Sequence, residues 1–238
     1  MISFIIPTLN EEKVIENTIG CLLPYKKEHE IIVSDGGSRD RTVERASVFA
    51  TVVKHESPER QTISAGKNAG AAIAKGNFLV FLDADVSLHD PDVFFDKAEN
   101  IFAKDSKLVA MSVSLQVLEP LQTIGDRLVF GFMNCWHAFL NNVVGTGVAS
   151  GEFQMIRRDA FEKVGGFDGK LVASEDYELF HRLAKIGKTR FESTLRVYHT
   201  GRRAHVIGWP RLLFQWSSNA VAVLFWKHAV SKVWTEIR

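Results

Sequence analysis

At 238 residues, with 46% hydrophobic side chains, the chain is long enough to bury one large core. Its 29 Lys and Arg against 28 Asp and Glu leave a net charge of +1, which excludes a nucleic-acid binder that works through an overall basic surface. Two cysteines, Cys21 and Cys135, lie far apart without metal-ligand spacing, which argues against a disulfide framework and for a reducing compartment.

The amino terminus carries no basic leader and reads directly as a strand, Ile2 to Ile6, closed by Pro7. Asn10-Glu11-Glu12 then opens a helix with apolar residues at Val14, Ile15, Ile19, Leu22 and Leu23. A second strand, Glu30 to Ser34, ends in Asp35-Gly36-Gly37-Ser38, where Ser38 or Asp40 can cap a helix through Val43, Ala46 and Phe49. Thr51 to Lys54 is a short third strand, and Arg60 to Ala74 is a helix leading into a fourth, Asn77 to Leu82. Four strand and helix alternations in ninety residues predict a parallel sheet with right-handed crossovers.

Beyond Asp85 the spacing predicts a helix from Asp90-Pro91 through Phe102, a longer strand from Leu108 to Val117, and an apolar helical stretch from Leu121 to Val144. That stretch is broken by Asp126, Arg127, Asn134, His137, Asn141 and Asn142, so it reads as a helix packed on the protein or lying against a membrane rather than crossing one. A short strand over Glu152 to Arg157, a helix over Asp159 to Val164, a helix capped by Ser174-Glu175-Asp176 and final strands between Thr189 and Tyr198 complete the domain. The segment from Trp209 to Trp234 holds Trp209, Trp216, Trp226 and Trp234. Arg202, Arg203, Arg211, Lys227 and Lys232 add positive charge, a combination that suits a membrane interface, a helix covering the sheet or a dimer contact.

Acidic residues fall at predicted strand ends and helix starts: Glu11, Asp35, the pair Asp83 and Asp85, and Asp176. In an open parallel sheet ligands bind outside the carboxyl ends of the strands, so these positions converge on one cleft. Asp35, with Glu11 beside it, can accept hydrogen bonds from a nucleotide base. Asp83 and Asp85 can approach a diphosphate only through a divalent cation, and hard oxygen ligands favour Mg²⁺ or Mn²⁺. Each carboxylate also has a plainer reading. Asp-Ala-Asp is ordinary turn chemistry, and Glu175 and Asp176 suit the first turn of a helix. Arg202 and Arg203 suit either a diphosphate or anionic acceptor or a solvated basic face.

Several motifs occur in a fixed order: Ile5-Ile6-Pro7-Thr8-Leu9-Asn10-Glu11-Glu12, Val33-Ser34-Asp35-Gly36-Gly37-Ser38, Gly66-Lys67-Asn68-Ala69-Gly70 and Leu82-Asp83-Ala84-Asp85. They are followed by Gly165-Gly166-Phe167-Asp168, Ser174-Glu175-Asp176-Tyr177 and Val197-Tyr198-His199. The ordered set resembles the inverting nucleotide-sugar glycosyltransferases of family 2 and covers about residues 1 to 200. The resemblance implies a GT-A fold, Rossmann-like and α/β, with a mostly parallel central sheet, flanking helices and a carboxy-terminal amphipathic helical segment. Residues 1–90 would form a nucleotide-binding half, 91–200 an acceptor half and 201–238 a basic, Trp-rich extension.

The resemblance further implies that Pro7, Leu9, Glu11 and Asp35 line the base and ribose pocket and that Lys67 lies near the base or phosphates. Asp83 would contact ribose or metal and Ala84 the nucleotide sugar, while Arg202 is a candidate for the diphosphate on its charge alone. Asp85 would bind the metal, with His199 completing its shell, and Asp176 would be the general base with Glu175 assisting. Two positions depart from the family pattern: Gly36 stands where many relatives have a second acid, and Lys67 where many have Arg. Both touch the base pocket and leave open the choice among uridine, guanosine and thymidine nucleotides.

The expected partners are a UDP- or GDP-linked sugar and a sugar or lipid-linked acceptor, in the cytoplasm or at the inner face of the cell membrane, with a homodimer contact as one use of the Trp-rich segment. Asp83-Ala84-Asp85-Val86-Ser87 with His89 and Pro91 also resembles the polyprenyl-phosphate sugar synthases. A non-catalytic nucleotide-binding or membrane-scaffold protein and a nucleotidyltransferase are the other classes compatible with the pattern.

Overall fold

The structure, a computed structural model, describes residues 1–226 and Val230. Its first half runs β1 (Ile2–Thr8), α1 (Ile15–Gly20), β2 (His29–Asp35), α2 (Thr42–Ala46), β3 (Thr51–Lys54), α3 (Ile63–Ile73) and β4 (Phe78–Leu82). Then come α4 (Pro91–Lys104), β5 (Leu108–Val117), α5 (Ile124–Phe139), β6 (Phe153–Arg157), α6 (Arg158–Lys163), α7 (Glu175–Ala184), β7 (Lys188–His199), α8 (Arg202–Ile207) and α9 (Trp209–Trp226). The seven strands form one sheet in the order β3-β2-β1-β4-β6-β5-β7.

Apolar side chains alternate across this sheet because both faces are covered. Phe4, Val33, Val80 and Met111 pack with α1, α4 and α5 on one face. Ile5, Ile32, Phe81 and Ala110 pack with α6 and α7 on the other, where Ala71 of α3 joins them. Helix α3 approaches unusually closely. A Cβ at Gly70 would lie 2.5 Å from the Ile5 side chain, so only glycine lets the helix lie flat on β1 and β2.

Strand β6 departs from the parallel pattern. It runs antiparallel between β4 and β5, with Leu82 opposite Phe153. Its amino-terminal end therefore lies at the edge where β1 and β4 end. Strand β7 pairs parallel with β5 and brings its carboxyl end to the same edge. Where several final strands are expected from the sequence, the chain forms one strand of 12 residues. A register shift between Val113 and Ser114 absorbs the irregular stretch between Glu192 and Arg196, so the strand continues instead of breaking.

The apolar stretch after Leu121 forms α5, starting at a capping box made by Thr123 and Asp126, and continues as one π-helical turn from Leu140 to Val144 that Gly145 ends at φ 76°. Among the described residues no helix is long and apolar enough to cross a membrane. Of the Trp-rich segment, Lys227, Lys232 and Trp234 lie outside the described residues.

Candidate active site

Strand order reverses at β1, which has β2 on one side and β4 on the other, and such a reversal opens a crevice at the carboxyl edge of a doubly wound sheet. Four chain segments meet there: the loop after β1, the turn after β4, the residues before β6 and the residues after β7. Together with the end of β2, the segment from Arg60 into α3, and α5, α7 and α9, they line a cleft of about 580 Å³. Pro7, Leu9, Glu11, Asp83, Ala84, Asp85, Glu175, Asp176, His199 and Arg202 line it. Asp35 and Lys67, the other two predicted site residues, stand behind its wall.

The turn after β4 is held from two sides. Thr18 of α1 donates its hydroxyl to the Ala84 carbonyl at 2.7 Å, and Ser87 exchanges two backbone hydrogen bonds of 2.8 Å with Tyr198 of β7. These bonds set Asp85 beside the end of β7, where it accepts from the Thr200 hydroxyl and lies 3.4 Å from the Arg202 guanidinium. Arg202 also grips Glu11 with two bonds of 2.6 and 2.8 Å, a planar fork on a carboxylate that spans the mouth of the crevice.

Asp35 organises its own loop. One carboxylate oxygen accepts the Gly37 and Ser38 amides at 3.0 and 2.9 Å, and the other accepts the Ser38 hydroxyl. Its role is thus to shape the Gly36-Gly37 turn that lies beside Thr8.

The opposite wall is built by α3 and α7. Asn68 bonds both the carbonyl and the amide of Phe167, at 2.8 and 3.0 Å, while Ser64 and Thr62 donate to the carbonyls of Leu171 and Gly169. Arg182 reaches back to the carbonyls of Val164 and Gly166. The Gly165-Gly166-Phe167 turn and its continuation are thereby laced to α3, which delivers the first turn of α7 to Lys67. Ser174 occupies the cap position at φ 59° without a side-chain cap bond. Glu175 and Asp176 turn instead toward the fully buried Lys67 ammonium, at 3.1 and 2.6 Å.

Asp176 has two distinct oxygens. Its Oδ1 accepts from Lys67 and from the Gln154 amide of β6. Its Oδ2 faces Gly151: a Cβ added there would lie 3.1 Å from Asp176 Oδ2 and 3.5 Å from Asp83 Oδ2. Gly151 therefore leaves room for the carboxylates of Asp83, just after β4, and Asp176, in α7, to approach one another.

Negative charge is in excess here. Burial pushes the Asp83 carboxyl up to about 7, with Lys67 opposing and Glu152, Asp85 and Asp176 adding to the rise. Burial and then Asp176 push Glu175 up to about 7, and burial raises Glu152 as well. Burial alone would lower Lys67, but Asp176, Glu175 and Asp83 outweigh it and hold the ammonium above its ordinary value. His199 is 7% exposed, its Nδ1 accepts the Gly201 amide at 3.3 Å, and its Nε2 has no hydrogen-bond partner among the described residues. Burial lowers its pKa and keeps the imidazole neutral.

A divalent cation fits this chemistry. Carboxylate oxygens and a neutral imidazole are ligands for Mn²⁺ or Mg²⁺, and the surplus of carboxylates is what a cation relieves. Among the described residues no three such side chains form a ready-made cage, so a cation here would draw further ligands from a bound phosphate or water. Sequence reading missed Gln154 and Glu152. Nothing in a strand pattern marks a residue whose partner lies 22 positions away, and only the antiparallel placement of β6 brings them in.

Residues 3–165 match the model of Glycosyl transferase family 2, and the chain belongs to that family. It is 31% identical over 194 residues to the succinoglycan biosynthesis protein ExoA of Rhizobium meliloti, covering 77% of this chain and 58% of that one. It is 25% identical over 192 residues to the chondroitin synthase of Pasteurella multocida, covering 79% of this chain and 19% of that one. Its fold is similar to the mannosyltransferase PcManGT of Pyrobaculum calidifontis in complex with GDP-Man and Mn²⁺, with TM-score 0.66, 19% identity and coverage of 84% and 56%. The glucosyl-3-phosphoglycerate synthase of Mycobacterium tuberculosis, in complex with Mn²⁺, UDP and glucosyl-3-phosphoglycerate, gives TM-score 0.65 at 22% identity, covering 94% and 78%. The chain spans little more than half the length of the ExoA protein.

Proposed function

We propose that this glycosyltransferase moves one sugar from a UDP- or GDP-linked donor to an acceptor hydroxyl, with inversion at the anomeric carbon and with a divalent metal. The observation that carries the reading is the asymmetry of Asp176: Oδ1 is held by Lys67 and Gln154, while Oδ2 is turned to the cleft opposite Asp83. A base held in this way can take the proton from an acceptor hydroxyl as that oxygen attacks the anomeric carbon from the face opposite the nucleoside diphosphate. Glu175 keeps Lys67 in place beside it.

On the donor side, Pro7, Leu9 and Glu11 form the base and ribose wall and Asp35 shapes it from behind. Asp83 and Ala84 meet the ribose and diphosphate, and Arg202 meets the phosphates. Asp85 and His199 would hold the cation, which would supply stabilisation of the charge developing on the departing diphosphate. Phe130, Met133, Leu212 and Trp216 give the cleft an apolar stretch, and this favours a lipid-linked acceptor handled at the inner face of the cell membrane.

Thermal-shift titration with UDP, GDP and dTDP sugars, with and without Mn²⁺, tests the donor site, because a ligand of the native state raises the unfolding midpoint by mass action. Metal-dependent stabilisation by one nucleotide class is expected, and its absence for all three sinks the donor reading. Asp176→Asn is expected to abolish transfer while keeping that stabilisation. Transfer that survives in Asp176→Asn points instead to a phosphate acceptor such as a polyprenyl phosphate, which needs no base. Stabilisation with neither transfer nor hydrolysis points to a non-catalytic binder.

A further inference from the structure

Helix α5 buries only one side. Phe130, Met133 and His137 face the cleft, and Asn134 bonds Leu115 of β5, while the opposite side exposes Ile124 (78%), Leu128 (70%), Phe132 (69%) and Trp136 (48%). Phe139 and Val143 extend the same row. These residues recur at intervals of three and four, so they form one continuous stripe along a helix about 24 Å long. Three of its rings are ordered against one another. Phe132 and Trp136 stack at 6.5 Å and 7°, and Trp136 and Phe139 at 5.8 Å and 28°. A row of large apolar groups this long is unusual on a free surface.

The charges around the stripe select its partner. From Leu121 to Gly151 the one acidic residue is Asp126, which is fully buried and engaged by Thr123, His205 and Trp209. From Gly201 to Trp226 there is none. Arg127 on α5 and Arg211 on α9 are exposed. Helices α5 and α9, which both line the cleft, thus present apolar and cationic groups to solvent and no exposed carboxylate of their own, the exposed Glu119 lying in the turn ahead of α5. This arrangement complements an anionic lipid surface, where aromatic rings sit at headgroup depth and arginines meet phosphates.

We propose that the outer face of α5 docks on an anionic bilayer, with the helix lying in the headgroup region and Phe132, Trp136 and Phe139 buried among the acyl chains. The docking itself does not depend on the transfer chemistry. Its consequence for the acceptor rests on the transferase reading: it sets the apolar stretch of the cleft about one helix diameter, roughly 10 Å, from the lipid. A lipid-linked acceptor could then stay anchored while its head group enters.

Co-sedimentation of the 238-residue chain with vesicles of phosphatidylcholine alone, and of phosphatidylcholine mixed equally with phosphatidylglycerol, tests this. The chain is expected to pellet with the mixed vesicles and to be released as salt rises. The double variant Phe132→Ser, Trp136→Ser should weaken partitioning by about a hundredfold or more, since two buried rings are lost. Because both positions are exposed, its melting midpoint and its nucleotide-dependent thermal shift should be those of the parent. Arg127→Glu with Arg211→Glu should reduce binding to the mixed vesicles alone. A parent chain that stays in the supernatant with both vesicle types overturns the proposal, as does a double variant that still binds fully. A parent that is a dimer in solution and becomes monomeric in the double variant also overturns it, in favour of a second copy covering the face.

Discussion

Lys67 has no surface exposure and two carboxylate partners, so removing it leaves Glu175 and Asp176 buried beside one another without a cation. Lys67→Met should therefore cost about 3–5 kcal/mol of unfolding free energy, measured by denaturant titration. Gln154→Leu preserves volume but removes one of the two donors that fix Asp176 Oδ1. It should lower kcat by roughly 10–100-fold while leaving metal-dependent nucleotide binding intact, because the carboxylate keeps its place near Lys67 but loses its orientation. A variant with normal kcat and a raised donor KM would show that Gln154 only supports the fold. Glu175 adds a pH dependence. Its folded-state pKa is raised to about 7 from 4.5, so the native state binds the proton more tightly. That contribution is fully present below about pH 4.5 and is lost as pH rises through about 7, on the order of 3 kcal/mol. Glu175→Gln should flatten the fall, read as melting midpoint against pH without metal.

At the scale of elements, α3 shows how a sequence motif becomes a wall. Gly70→Ala places a methyl group 2.5 Å from Ile5 and must lift the helix, which also moves Lys67. A loss of about 1–3 kcal/mol with reduced transfer is expected. Gly131→Ala in α5 meets nothing within 4 Å, and there the better helix former should add about 0.5–1 kcal/mol. Equal effects of the two substitutions, compared by melting midpoint, would undo this account of the close approach. The contrast also shows what the chain reveals before it folds. The strands and helices of the first half are legible because turn residues punctuate a regular alternation, and the stretch from Leu121 to Val144 reads as a helix, although its sequence does not mark which of its sides is buried. The antiparallel insertion of β6 is not legible, since pairing depends on partners far along the chain. The acids at 175 and 176 look like ordinary helix-start residues because their cation lies more than a hundred positions earlier. Asp35 likewise gave no sign that its loop would use both of its oxygens.

For the molecule as a whole, the crevice is bridged by Arg202, whose bonds to Glu11 join residues 191 positions apart. This tie connects the loop after β1 to the segment after β7, so it couples two sides of the cleft. Both partners are largely buried, with side-chain exposures of 25% and 6%, and the guanidinium sits 3.4 Å from Asp85. On the proposed reading, a donor diphosphate entering the crevice would offer the same guanidinium a second anionic partner, and Arg202 would pass from holding the cleft to holding the ligand. Arg202→Ala should then do two things: lower unfolding stability by about 1–3 kcal/mol, and raise the donor KM about tenfold with a smaller change in kcat. Arg202→Lys should recover little of either, because an ammonium cannot make the two-pronged contact. If the alanine variant loses stability but responds to nucleotide and Mn²⁺ with the full thermal shift of the parent, Arg202 is a structural tie and the phosphate contact belongs to another residue.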